Sequence, residues 1–160
     1  MRKKYHLKPS FCSSCKGKCC KRAAGIYLPS DFKPEELTPD SIFAMLQSGK
    51  FSIDWWDDDP RPGKNELSQA YYIRPRHVGA PAINGSWGGR CVNLSDETGC
   101  TLPNNKKPAQ CRELIPMSPE GEGCHVSDKK FEKQGMSIEW VPYQAVIIEA
   151  INKFRDHEEN

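Results

Sequence analysis

The chain has no long hydrophobic run. No window approaches the ~18 apolar residues that a membrane-spanning helix needs, so no membrane association is expected. Nor does Met1-Arg2-Lys3-Lys4-Tyr5-His6-Leu7-Lys8-Pro9 contain the apolar stretch of a secretory leader, and a cytoplasmic location is expected. Neither sign of charge dominates. The formal charge of +2 points to no polyanionic partner, and nucleic acid is not expected to be one. A glycine-rich phosphate loop is also missing. Apolar residues are scarce, at 37%, while 13 Pro and 12 Gly imply much loop. A chain of 160 residues suits one domain, but so lean a core calls for staples, either disulfide or metal.

Cysteine is absent between Cys20 and Cys91, and plentiful on either side. Cys12, Cys15, Cys19 and Cys20 form a dense knot, and Cys91, Cys100, Cys111 and Cys124 form a spaced row. In a reducing compartment, thiols are metal ligands or redox groups more often than disulfides. Three chemistries compete. Structural zinc takes four tetrahedral N/S ligands, and eight cysteines suffice for two closed sites. Iron–sulfur clusters take four thiolates, although the spacings here are not those of ferredoxins. Redox-active or disulfide-bonded cysteines are the third. Adjacent Cys19-Cys20 favour metal, because a vicinal disulfide is strained. Gly17 supplies backbone freedom within the knot, and Lys16, Lys18, Lys21 and Arg22 offset thiolate charge.

The remaining pattern is α+β, small and loop-rich: a metal-stapled cysteine cluster with short helices, a small hairpin or sheet, and a C-terminal amphipathic helix. Residues 1–11 read as a basic arm, 12–155 as one cysteine-cluster metal-binding domain with a 21–90 insert, and 156–160 as a charged tail. Pro34–Leu37 suits one helical turn. Thr38-Pro39-Asp40-Ser41 signals a helix start, with Thr38 as N-cap and Gly49 beyond the end. Phe51–Trp56 and Leu67–Ile73 read as strands of a hairpin with a long loop. The Asp57-Asp58-Asp59 run between them reads as a solvated turn, and Arg74-Pro75-Arg76-His77 as a strand end with solvated charges. Cys91 and Cys100 are placed at the two bases of a second hairpin, and Pro108–Leu114 suits a short helix carrying Cys111. His125 is a candidate substitute ligand. Tyr143, Val146, Ile147, Ala150, Ile151 and Phe154 recur at helical spacing.

Cys12–Cys20, followed by Cys91, Gly99-Cys100, Pro108, Cys111-Arg112 and Pro116, resembles the zinc- or iron-chelating domain family, also known as the YkgJ or CxxCxxCC family. Lys107 departs from the arginine of its later block. The resemblance spans roughly residues 12–124, weakly over 21–90. It implies metal or cluster binding at all eight cysteines. Some relatives are linked to flagellin lysine methylation.

The primary expectation is therefore a metal-binding protein whose cysteines hold Zn2+ or an iron–sulfur cluster, in a structural or electron-handling role. The alternative is a cluster-dependent enzyme modifying a protein or peptide, by methylation-related or redox chemistry. His77, Arg74, Arg76, Tyr71, Trp55 and Trp56 would line its pocket, and no catalytic residue is identified. A third reading is a docking protein that offers its C-terminal helix or its basic arm to a protein partner, with metal only as a staple.

Overall fold

A computed structural model describes residues 21–85, 88–115, 125–126 and 128–159. The fold is α+β. An extended segment from residue 23 ends in a 3-10 turn at Pro29–Asp31, and a second turn covers Pro34–Glu36. Helix α1 spans Pro39–Gln47, opened as expected by Thr38, whose hydroxyl accepts from the Ser41 amide at 3.2 Å. Gly49 follows with φ of 82°, a conformation that costs glycine little.

Strands β1 (Phe51–Trp56) and β2 (Ala70–Pro75) form the expected antiparallel hairpin, paired from Phe51↔Pro75 to Trp56↔Ala70. The second strand begins three residues later than the sequence pattern suggests. The intervening loop is tied by Asp59, whose carboxylate binds the Arg61 guanidinium at 2.7 Å and accepts from the Glu66 amide at 3.3 Å. Asp57 and Asp58 are exposed, but Asp59 is buried, so only part of the acidic run is a solvated turn.

Both hairpin edges are covered. Tyr27 N donates to Ile73 O at 3.1 Å outside β2, and Ile83 bridges Ile53 outside β1. Gln144 adds a side-chain clasp: its Oε1 accepts from Tyr71 N and its Nε2 donates to Tyr71 O, both at 2.8 Å. One amide side chain thereby satisfies backbone groups that an open edge would leave bare.

The second hairpin joins β3 (Leu94–Ser95) to β4 (Gly99–Cys100), and α2 is only Ala109–Arg112. Backbone pairing links β5 (Leu114–Ile115) to β6 (His125–Val126). Helix α3 (Lys133–Glu139) leads through a 3-10 turn at Val141–Tyr143 into α4 (Gln144–Glu159). The helix continues through Glu159, over most of the stretch expected as a charged tail.

The main core joins Ile42 and Leu46 of α1, Ile53 and Ile73 of the hairpin, and Met136, Trp140, Ile147 and Ile151. Val146 and Phe154 pack against it. The apolar stripe of α4 is therefore turned inward, which weakens the reading of that helix as a docking surface. Phe43 meets Phe154 edge-on, with ring centroids 6.3 Å apart. Among the described residues, no helix is long and apolar enough to cross a membrane.

Candidate metal centre and adjoining cavity

The site is built around a seam made by residues 22–26. Gly89 N donates to Arg22 O at 2.8 Å. Two residues on, Ala24 N donates to His77 Nε2 at 3.0 Å, and Ala24 packs with Cys91 and Leu94. Gly25 lies directly against Cys111, where any Cβ would overlap the sulfur. Ile26 and Gln110 clasp each other: Ile26 N donates to Gln110 Oε1 at 2.9 Å and Gln110 N to Ile26 O at 3.3 Å. One short stretch, beginning immediately after Cys20 in sequence, therefore touches the neighbourhoods of both Cys91 and Cys111.

Asp31 fixes the second of these neighbourhoods. Its Oδ2 accepts from the Leu28 and Ala109 amides at 2.8 and 2.9 Å, and its Oδ1 binds Arg112 at 2.6 Å. A buried carboxylate so satisfied locks the short helix that carries Cys111. Nothing in the local sequence around Asp31 marks this role, since Ala109 and Arg112 lie 78 and 81 positions away.

Cys91 is buried, while Cys100 and Cys111 are half-buried. The expected hairpin with a cysteine at each base is not what forms. Cys100 pairs with Leu94, and Thr101 N closes the base on Asn93 O at 2.8 Å. Cys91 lies outside that ladder and bridges His77 instead. The chain leaving β2 stays extended through His77 and captures residues 90–92 as its partner, with Val78 N on Arg90 O at 2.7 Å and Val92 N on Arg76 O at 2.9 Å. These flanking bonds make His77 and Cys91 a non-hydrogen-bonded pair, the kind in which opposed side chains stand closest.

The three thiols share an electrostatic neighbourhood. Tyr27 is held as a neutral phenol by burial first, then by Cys111, Cys91, Asp31 and Cys100. Burial raises the Cys91 thiol, and Asn93 hydrogen bonding only partly opposes it. A thiolate in such a place would need a nearby cation to offset its charge. Among the described residues, no disulfide joins these cysteines, and no three His, Cys, Asp or Glu side chains form a metal-holding group by themselves. Cys12, Cys15, Cys19, Cys20 and Cys124 lie outside the described residues, as does the side chain of His125.

Beside the seam is a cavity of about 350 Å³. Ala23, Ala24 and Ile26 form one wall, and Asp54, Trp56, Tyr72, Arg74 and His77 belong to the other side. The strand period of two explains the selection: Asp54 pairs with Tyr72 and Ser52 with Arg74, so these residues share one face of the hairpin. Tyr71 and Trp55 are paired on the opposite face, with rings 6.1 Å apart. Of the expected pocket residues, His77, Arg74 and Trp56 line the cavity, whereas Tyr71, Trp55 and Arg76 do not. Asp54 and Tyr72 were missed, although polar residues alternating along both strands carry their signal.

The charges at the end of β2 are not solvated. Arg74 is 2% exposed and His77 4% exposed. Arg74 Nε donates to Asp54 at 2.9 Å, and its remaining nitrogens donate to Pro75 O at 2.9 Å and Asn84 O at 3.1 Å. Burial is sustained because the guanidinium has an acceptor in each direction. Arg76 turns instead to the end of α1, donating to Leu46 O at 2.6 Å and to Phe51 O at 3.0 Å. That contact satisfies a helix C-terminal carbonyl.

Burial lowers the His77 pKa to about 4, with help from Arg74. The ring is therefore neutral near pH 7. With this geometry in place, comparison with family models, curated proteins and solved structures finds no match to the chain.

Proposed function

We propose that this chain is a metal-binding protein in which Cys12, Cys15, Cys19, Cys20, Cys91, Cys100, Cys111 and Cys124 hold Zn2+ or an iron–sulfur cluster, in a structural or electron-handling role. The observation that carries this reading is the seam at residues 22–26, which begins beside the knot in sequence and packs against Cys91 and Cys111. The shared neighbourhood of Tyr27 and the three described thiols adds support. So does the cysteine pattern, with its resemblance to the zinc- or iron-chelating domain family. A reducing compartment, such as the cytoplasm, suits thiolate ligands. Bound metal supplies either a crosslink between the two cysteine blocks or a site of electron storage.

Anaerobic purification with metal analysis and an absorption spectrum tests the reading. A brown protein containing iron and acid-labile sulfide selects the cluster. A colourless protein carrying stoichiometric zinc selects zinc. Purified protein with neither metal, and with no uptake of either on reconstitution, overturns the proposal.

A second reading rests on the cavity, whose wall includes His77, the cross-strand partner of Cys91. On that reading the centre serves an enzyme that modifies a protein or peptide. Tyr72→Phe would then abolish turnover while leaving metal content unchanged.

A further inference from the structure

His77 carries an unused hydrogen-bonding group beside a cysteine. Its Nε2 faces the Ala24 backbone amide, which only donates, so Nε2 is an acceptor. In the neutral ring the proton then resides on Nδ1. That Nδ1 is buried and has no hydrogen-bond partner among the described residues. Gly89 lies close against the ring, where an added Cβ would come within 2.9 Å of Nδ1. Across the ladder stands Cys91. A buried, unpaired N–H donor forfeits the hydrogen bond it made to water, and such groups are rare in folded proteins.

Resting on the metal-centre reading above, we propose that His77 is a positioning residue: its Nδ1–H donates to a sulfur of the cysteine centre that includes Cys91, and the ring is not itself a metal ligand. Once a metal draws the thiolates together, an anionic sulfur supplies the acceptor that the ring lacks. Donors of this kind orient ligands and stabilise the charge they carry. The Ala24 amide fixes which nitrogen performs the task, and it also ties the ring to the seam that follows Cys20.

Long-range 1H–15N NMR on the full chain, loaded with 113Cd2+, tests the assignment. The expected result is the Nδ1–H tautomer of His77, with scalar coupling from that proton to cadmium through the hydrogen bond to sulfur. Direct nitrogen–cadmium coupling, the Nε2–H tautomer, or loaded protein without proton coupling each overturns the inference alone. Failure to take up cadmium, zinc and an iron–sulfur cluster alike on reconstitution overturns the metal reading, and the inference with it.

Two substitutions supply an independent measurement. His77→Gln keeps an acceptor near Nε2 and loses the Nδ1 donor, and is expected to weaken Zn2+ affinity about 10-fold. His77→Asn places an amide N–H near Nδ1 and is expected to retain most of that affinity. Equal losses in both variants would identify His77 as scaffold only.

Discussion

On the core side, six-residue strands pair along their full length, and Ile53, Met136, Trp140 and Ile147 are completely buried. On the cysteine side, β3 and β4 are two residues each, α2 has four, and Ala24, Cys91 and Leu94 form a separate small cluster, while Ala109 of α2 reaches into the main core. The first region buries far more apolar side chains than the second. Isolated elements as short as those of the second are not stable in water. They are positioned here by a few long-range contacts, of which the Asp31 clasp and the Ile26–Gln110 pair are the clearest. The cysteine side holds the smaller share of hydrophobic packing, which the proposed metal crosslink would supplement.

The largest expected effect separates the two regions outright. Stripping metal with a chelator under reducing conditions should abolish amide-exchange protection across residues 89–112 while β1 and α4 stay protected. Loss of protection in both regions together would show that the core depends on the centre.

Trp140→Ala should break the core side, at a cost of about 4 kcal/mol in urea unfolding. The indole is fully buried, and its Nε1 donates to Tyr27 O at 2.7 Å. Arg74→Met acts where the regions meet. It leaves the Asp54 carboxylate buried without its partner, and should cost about 3 kcal/mol by the same measurement.

Asp59→Asn is the mildest test, on a loop remote from the cysteines. Hydrogen bonds from Arg61 hold the Asp59 carboxyl well below the usual carboxylate range. A depressed pKa contributes stability above the unfolded value of about 3.9, and that contribution is lost as pH falls below it. The variant should therefore melt earlier than wild type at pH 7, with the difference shrinking below about pH 4. A difference that grows on acidification would contradict this account.

Local signals in the sequence were sufficient for α1, β1 and α4. Thr38-Pro39-Asp40 is a cap read from adjacent residues, and the stripe from Val146 to Phe154 is a period within one helix. Helix α3 escaped because Gly135 lies in its middle and tertiary packing overrides that weak propensity. The second hairpin was found with its cysteines misplaced. Turn chemistry predicts that a hairpin exists, but it does not predict that residues 90–92 will pair with the continuation of β2.

By itself, the sequence determined the thiol inventory, the α+β class, and the faces that α1 and α4 bury. These follow from composition and from periods of two or 3.6 residues, which act over one or two turns. Only the tertiary structure decided that Arg74 and His77 are buried, that Asp54 and Tyr72 join them beside the cavity, and that His77 stands across from Cys91. Burial of a charge depends on acceptors supplied by distant chain, here Asp54 and the carbonyl of Asn84 for Arg74. Such partners are separated in sequence by loops that carry no pattern of their own, so their meeting is settled by packing.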